Sequence, residues 1–264
     1  FVGSEGAFGI VTRATLQVFR VPEARTFATY AFPTFEAGFG AIVELTALGV
    51  RPAVLDLSEE AEGPGVVLYL VFEGFQEEVA AHQERAARVV AAHGGEDQGP
   101  AEAVRYWQDK YAVAERWKRE VLPKRPSQRW RDGRGARPFD YIHVALPTSR
   151  VLEYRRRAEE LLASYPVRVW EYACWTRPEF FSLALTVQRD ALDGRDGAAV
   201  MAEAVDALIV LAQDLGGAME YCHGVGVKLA HLLAREWGVG LEVVRRLKRA
   251  LDPHGIMNPG KLGV

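Results

Sequence analysis

The chain has 264 residues, of which 49% are hydrophobic, 10% aromatic and 25% charged. That mixture excludes a disordered tail, a collagen-like fibre and a low-complexity linker, all too poor in apolar side chains to build a core. Lys and Arg number 32 against 35 Asp and Glu, a formal net charge of −3 that gives no overall pull toward nucleic acid or an anionic membrane, and two cysteines cannot staple a disulfide scaffold.

The length suits one large domain or two modest ones. No apolar run reaches the ~18 residues that span a bilayer; the densest, Ala204–Ala212, is interrupted by Asp206. In chain order, the alternation of Thr12–Phe19 predicts a strand ended by Pro22, and Thr26–Phe32 predicts a second. Helical spacing follows over Phe35–Leu48, with Thr34 as N-cap and Gly49 as the stop. Strands are expected at Ala53–Leu57 and Val66–Phe72, then an amphipathic helix over Gln76–Ala92 that stops at Gly94-Gly95. After an Arg-rich middle the order returns. Phe139–Leu146 reads as a strand, Ser149–Ala163 as a helix capped by Thr148, Val167–Trp175 and Phe180–Gln188 as strands, and Gly197–Leu215 as a helix closed by Gly216-Gly217. Lys228–Leu251 reads as two short helices broken at Gly238/Gly240, and a turn-rich tail follows.

Each half therefore runs strand, helix, strand, strand, helix. The expected fold class is α+β: two ferredoxin-like βαββα units, with antiparallel sheets covered by helices on one face. In Phe180–Gln188, Phe181, Leu183, Leu185 and Val187 suit the core, leaving Ser182, Ala184, Thr186 and Gln188 opposite. In Phe139–Leu146, Ile142, Val144 and Leu146 are the core set, leaving Tyr141 and His143 opposite. That second face, small, polar and aromatic, either meets water or covers a ligand.

Two motifs carry chemistry. Gly3-Ser4-Glu5-Gly6-Ala7-Phe8-Gly9-Ile10-Val11 spaces three glycines so that backbone N–H groups can approach an anion. No helix follows, so a Rossmann reading fails, and taken alone a turn entering a strand is the better explanation of the segment. Glu220-Tyr221-Cys222-His223-Gly224-Val225-Gly226 puts a candidate base, His223, ahead of two glycines that admit a second surface. Cys222 carries no mark of activation and is expected to be a small buried thiol.

Together these motifs, with Leu251-Asp252-Pro253-His254-Gly255-Ile256-Met257-Asn258-Pro259-Gly260-Lys261-Leu262 at the end, resemble FAD-linked oxidases of the vanillyl-alcohol oxidase type. The nearest branches are the glycolate and D-lactate dehydrogenases and the alkyl-dihydroxyacetone-phosphate synthases. The resemblance covers essentially the whole chain. It implies FAD as cofactor, with Gly3, Ser4, Glu5, Gly6 and Gly9 against the pyrophosphate and ribose, and Ile10 and Val11 by the adenine. Asn258 and Lys261 would lie at the same end, with His223 by the flavin or substrate. Residues 1–24 would close the FAD-binding domain, 25–221 would be the cap, split near 94–138, and 222–264 a flavin-side segment. Most of the family's FAD-binding fold has no counterpart here, so the chain, which opens on Phe1, is expected to be the back part of a longer enzyme that needs that domain and is inactive alone.

The substrate implied is a small, anionic, hydroxyl-bearing molecule, with a 2-hydroxy acid as one case, held by Arg177 or Arg189 and by His143 on the polar sheet face. The ether-lipid synthase reading stands as the alternative, although Val187-Gln188-Arg189 falls where that branch carries a tyrosine. The metal-using dehydrogenases carry G-H-x-G-D-G-N-x-H and a Glu before the later His. This chain has neither, with Cys222 at the Glu position, so no metal site is expected.

The middle, Glu115–Arg137, holds nine basic and three acidic residues with Trp117 and Trp130. It reads as a solvated loop, with closure over an anionic substrate or contact with a membrane surface as the next reading. Nucleic acid is not an expected partner. A cytoplasmic setting follows from the cysteine usage, and a homodimer through the cap has no surface that the sequence marks.

Overall fold

The computed structural model describes residues 1–125 and 139–264. Its chain divides into two compact units. The larger holds Pro22–Tyr141 and Pro166–Met201; the smaller holds Phe1–Val21, Ile142–Tyr165 and Ala202–Val264.

In the larger unit β1 (Ala24–Phe32) pairs antiparallel with β3 (Val66–Gly74), and β3 with β2 (Val54–Glu60). The short β4 (Glu96–Asp97) joins the free side of β1. β2 continues antiparallel to β6 (Val167–Trp175), and β6 to β7 (Phe180–Val187), with a bulge between Val169 and Glu171. Helices α1 (Phe35–Ala47) and α2 (Gln76–Ala92) cover one face of β1–β3. The Thr34 hydroxyl accepts from the Ala37 N–H at 3.2 Å, so the side chain that precedes the helical run satisfies one of its orphan donors. Gly49, at φ +76°, turns the chain out of α1. Gly38 is a packing requirement: a Cβ there would meet Leu57 Cδ1 at 2.6 Å and Phe32 Cδ2 at 3.3 Å, so α1 lies directly on the sheet. Phe35, Ile42, Leu45, Leu57, Leu68, Leu70 and Phe181 are almost completely buried in this core.

The other face of that sheet is covered as well. Helix α3 (Ala101–Asp109) packs on β1 and β3, with Tyr106 stacked on Tyr69 at 4.9 Å, and α4 (Ala112–Glu120) follows it. The predicted Arg-rich loop thus opens as a helix, because Ala112–Glu120 holds only helix-compatible residues; Trp130 and the rest of 126–138 lie outside the described residues.

The smaller unit takes most of β5 (Phe139–Ala145), which pairs antiparallel with β8 (Ala218–Met219). Helix α5 (Val151–Leu162) is entered through a 3₁₀ turn, Thr148–Arg150; Thr148 sits inside that turn and not at an N-cap as expected, since the preceding Pro147 starts the turn early. Helix α6 (Gly197–Asp214) ends at Gly216 (φ +77°), and its Leu208 carbonyl accepts from the buried Tyr154 hydroxyl at 3.2 Å. Gly238 (φ +50°) separates α7 (Leu233–Trp237) from α8 (Val239–Leu251), while Gly240 is simply helical.

The α+β class and the antiparallel pairing hold throughout the described strands. One predicted strand fails. Thr12–Phe19 has no regular structure, and Leu16, Val18 and Phe19 are 79–86% exposed. Alternation prepares two faces, but a strand also needs a neighbour for its N–H and C=O groups, and none is present among the described residues. No described helix is long and apolar enough to cross a membrane.

Candidate functional site

The front glycine motif, the His-Gly turn and the tail meet within the smaller unit. The half-buried Glu5 accepts the Gly226 N–H with both carboxylate oxygens, at 3.0 and 2.9 Å. Gly224, at φ +79°, lies against Glu5: a Cβ would stand 2.5 Å from Glu5 Oε1, so a side chain there would displace the carboxylate. From the tail, the Asn258 amide donates to the Glu5 carbonyl. Behind this contact lies a buried ion pair. Lys248 Nζ donates to Asp252 Oδ2 at 2.6 Å, to the Ala7 carbonyl at 2.8 Å and to the Met257 carbonyl at 2.6 Å. The Lys248 ammonium, together with the Met257 and Ile256 backbone N–H groups, holds the Asp252 carboxyl down to about 2. One ammonium thus fastens the front loop to the tail.

Between the fastened segments is a cavity of about 480 Å³. Of the expected cofactor residues, Ser4, Glu5, Gly6, Gly9, Ile10, Val11 and Asn258 line it, joined by Phe1, Ile256 and Met257. Gly3, in the same loop, and Gly9 have left-handed backbones (φ +80° and +155°) with nothing within 4 Å of a would-be Cβ, so the chain there can be approached closely. Lys261 stands nearby on the tail, its Nζ 3.6 Å from where a Gly226 Cβ would be.

His223 and His143 form the second grouping. Their rings are 4.6 Å apart between centroids. His143 is buried in β5, whereas His223 is exposed on the turn after β8. Burial, with His223 and Lys228 adding to it, pushes the His143 imidazole down to about 4, so it is neutral near pH 7. The turn is fixed to the strand by the Tyr221 N–H, which donates to the His143 carbonyl at 3.2 Å. Glu220 holds the turn's shape, accepting the N–H groups of Cys222 and His223 at 3.3 and 2.8 Å. Cys222 is exposed, contrary to the expected buried thiol, because the turn that carries it stands clear of the core. Cys222 comes together with His143 and His223: one ligand atom from each lies within 4.8 Å of the others.

The two arginines are in the larger unit, and neither lines the glycine cavity. Arg177 is exposed in the β6–β7 hairpin, where its N–H donates to the Trp175 carbonyl. Arg189 lines an open groove of about 660 Å³ with Arg168, Thr186, Gln188 and Asp190.

Sequence reasoning missed a polar group on the second sheet face of the larger unit. Ser182 and Ala184 are fully buried there, while Thr186 is half-buried and Gln188 exposed, so that face is covered at one end only. Asp56 of β2 and Glu171 of β6 are buried beside Tyr106, Tyr141 and Trp175. The Tyr141 hydroxyl donates to Glu171. Burial pushes the Asp56 carboxyl up to about 7; hydrogen bonding by Tyr106 opposes this and the nearby Glu171 charge adds to it. Glu171 is raised too, again chiefly by burial. A single acid inside each apolar run, Val54-Leu55-Asp56-Leu57 and Val169-Trp170-Glu171-Tyr172, is the signal that could have found them. Lys248 and Asp252 had only a helical i,i+4 spacing to announce them.

A family model described as FAD linked oxidases, C-terminal domain, matches residues 21–262. Among curated proteins, a D-lactate dehydrogenase of Archaeoglobus fulgidus is 25% identical over 99% of this chain and 56% of its own length. An alkyldihydroxyacetonephosphate synthase of Trypanosoma brucei brucei is 24% identical over 99% of this chain and 47% of its own. The chain spans about half the length of these relatives. Among solved structures, an alkyldihydroxyacetonephosphate synthase matches with a TM-score of 0.66 at 17% identity, over 97% of this chain and 48% of that one. A p-cresol methylhydroxylase matches at 0.61 and 15%, over 92% and 53%.

Proposed function

Because the chain belongs to the family of FAD-linked oxidase C-terminal domains, we propose that it is the substrate-side part of an FAD-dependent oxidoreductase acting on a small hydroxyl-bearing molecule, with 2-hydroxy acids as the leading class. The observation that carries this reading is the meeting of Glu5, Gly226 and Asn258 around a glycine-walled cavity. Open backbone at Gly3 and Gly9 fits a phosphate or ribose edge, and Ile10, Val11 and Ile256 offer apolar wall. Gly3, Ser4, Gly6, Gly9, Asn258 and Lys261 would hold that part of the cofactor, while Glu5 keeps its charge on the Gly226 N–H. Bound FAD supplies the hydride acceptor.

His223, exposed and held by its turn, takes the proton of the substrate hydroxyl as the carbonyl forms. His143, neutral, contributes a hydrogen bond and no charge. Arg177 and Arg189 remain the candidates within the larger unit for holding an anionic group by a bidentate contact, the groove with Arg168 favouring Arg189. In this reading residues 1–24 close the FAD-binding domain and 222–264 form the flavin-side segment. Residues 25–221 are a cap of two ferredoxin-like units. The exposed apolar ribbon Ile10–Val21 would then find its missing strand partner in the rest of that domain, without which the chain is inactive.

In the complete, flavin-loaded enzyme, His223→Asn is expected to slow flavin reduction by ~10²-fold or more; an unchanged rate removes His223 from the reaction. The alternative, ether-lipid synthesis, draws support from the match to the Trypanosoma synthase. Ether product formed from an acyl-dihydroxyacetone phosphate and a fatty alcohol, with no reduction of the flavin by 2-hydroxy acids, would favour it.

A further inference from the structure

We propose that His143, Cys222 and His223 form a binding site for a borderline divalent metal ion of the zinc type. The site goes beyond the proposed oxidation and does not depend on it. It is also unlike the ligand set of the metal-using dehydrogenases, whose paired-histidine motif this chain lacks.

The donor set is two imidazoles and one thiol, each offering one ligand atom, all within 4.8 Å of one another. Zinc with bonds of about 2.0–2.1 Å to nitrogen and 2.3 Å to sulfur in a tetrahedron separates its ligand atoms by about 3.3–3.6 Å. Closing the observed triangle onto an ion therefore takes a contraction of about 1 Å, within reach of side-chain rotation at two exposed residues. His143 is the fixed point, buried in β5 at 1% exposure. Cys222 and His223 are the movable pair, on a turn already pinned to His143 by the Tyr221 N–H and shaped by Glu220.

Charge around the site favours a cation on one side. The Glu220 carboxylate, its side chain only 4% exposed, is 3.8 Å from His223 Nδ1, too long for a hydrogen bond but close enough for its negative charge to favour a cation. Lys228, whose charge reaches His143, opposes it. Two nitrogens and a sulfur select zinc, cobalt or nickel over magnesium, calcium or manganese, which prefer oxygen. Three protein ligands leave a fourth position open to water. An ion there occupies the His223 lone pair, so zinc is expected to inhibit any reaction that uses His223 as a base.

The test is metal binding by the metal-stripped 264-residue chain. Zinc is titrated in competition with a chromophoric chelator, and cobalt is titrated while the thiolate-to-cobalt charge-transfer absorption is followed. One equivalent should bind. Cys222→Ser and His223→Gln, both at exposed positions, should each weaken zinc by about tenfold or more, and Cys222→Ser should abolish the charge-transfer band. His231→Ala, which removes an exposed histidine paired with Asp206, should leave binding unchanged. The proposal is overturned if no zinc binds at micromolar concentration. It is equally overturned if Cys222→Ser and His223→Gln bind zinc as the parent does, if cobalt binds without a thiolate band, or if the His231 variant is the one that loses the metal. None of these readouts involves flavin or substrate, so failure of the site and failure of the proposed oxidation are separable.

Discussion

Replacing Asp56 by Asn should stabilise the protein at alkaline pH and leave it nearly unchanged in acid. Asp56 is 5% exposed, and burial raises its carboxyl from an ordinary 3.8 to about 7. The folded chain therefore holds this proton more tightly than the unfolded chain. Below about pH 4 both states are protonated and the group contributes its full stability. From there to about pH 7 only the folded state keeps the proton, so stability falls as pH rises, and above 7 the loss is complete. Roughly three pKa units at 1.36 kcal/mol each set a ceiling of about 4 kcal/mol, of which about 3 fall between pH 5 and 8. His143 pulls the other way: its folded-state value, pushed down to about 4, removes stability as pH falls from about 6.5 to 4. A single pH profile mixes the two, so the quantity to measure is the difference between Asp56→Asn and parent. Urea unfolding at half-unit steps from pH 4 to 9 supplies it, with amide exchange at Leu55 and Leu57 as a local reporter. The difference should grow in favour of the variant from pH 5 to 8. A difference that is flat with pH, or that grows toward acid, would refute the reasoning.

Asp252 should behave oppositely. Its carboxyl is held at about 2, so its contribution is complete above about pH 4 and lost as pH falls toward 2; Asp252→Asn should flatten the acid limb of the unfolding curve. Lys248→Met should release the front loop, seen as faster exchange of the Ala7 and Gly226 amides with little change at β1–β3. Gly217→Ala should destabilise by about 1–3 kcal/mol in urea titration, because a Cβ would stand 2.8 Å from the Ala145 carbonyl and 2.9 Å from that of Ala212, and backbone cannot rotate aside. A neutral effect there would mean that the β5–β8 ladder gives way easily.

Local signals in the sequence hold where one residue suffices. Thr34 ahead of a helical run and Gly49, Gly94 and Gly216 behind one each act through their own backbone or hydroxyl, and the structure has them there. Thr12–Phe19 shows the limit, since alternation says nothing about whether a neighbouring strand exists. Thr148 falls inside a turn because the preceding Pro147 starts that turn early. The approach of Glu5 to Gly226 joins residues 221 apart, and periodicity carries no information on such a pair; only the resemblance hinted that the motifs belong together. Asp56 and Glu171 go unannounced, and Cys222 is expected buried but stands exposed, for the reverse reason: their chemistry depends on what surrounds them, which no spacing rule reports.

The ion pair of Lys248 also bears on how the chain assembles. The smaller unit is made of three stretches separated by long excursions, and its ammonium clasps a carbonyl 241 residues away. In the larger unit β1, β2 and β3 are close in sequence, and only the pairing of β2 with β6 reaches across a long stretch of chain. Loop closure therefore weighs on the smaller unit, which cannot gather its parts until the intervening chain is compact. The glycine cavity and the His143–His223 grouping both belong to that late-forming part. Newly made chain is thus expected to pair β1, β2 and β3 before it owns a site.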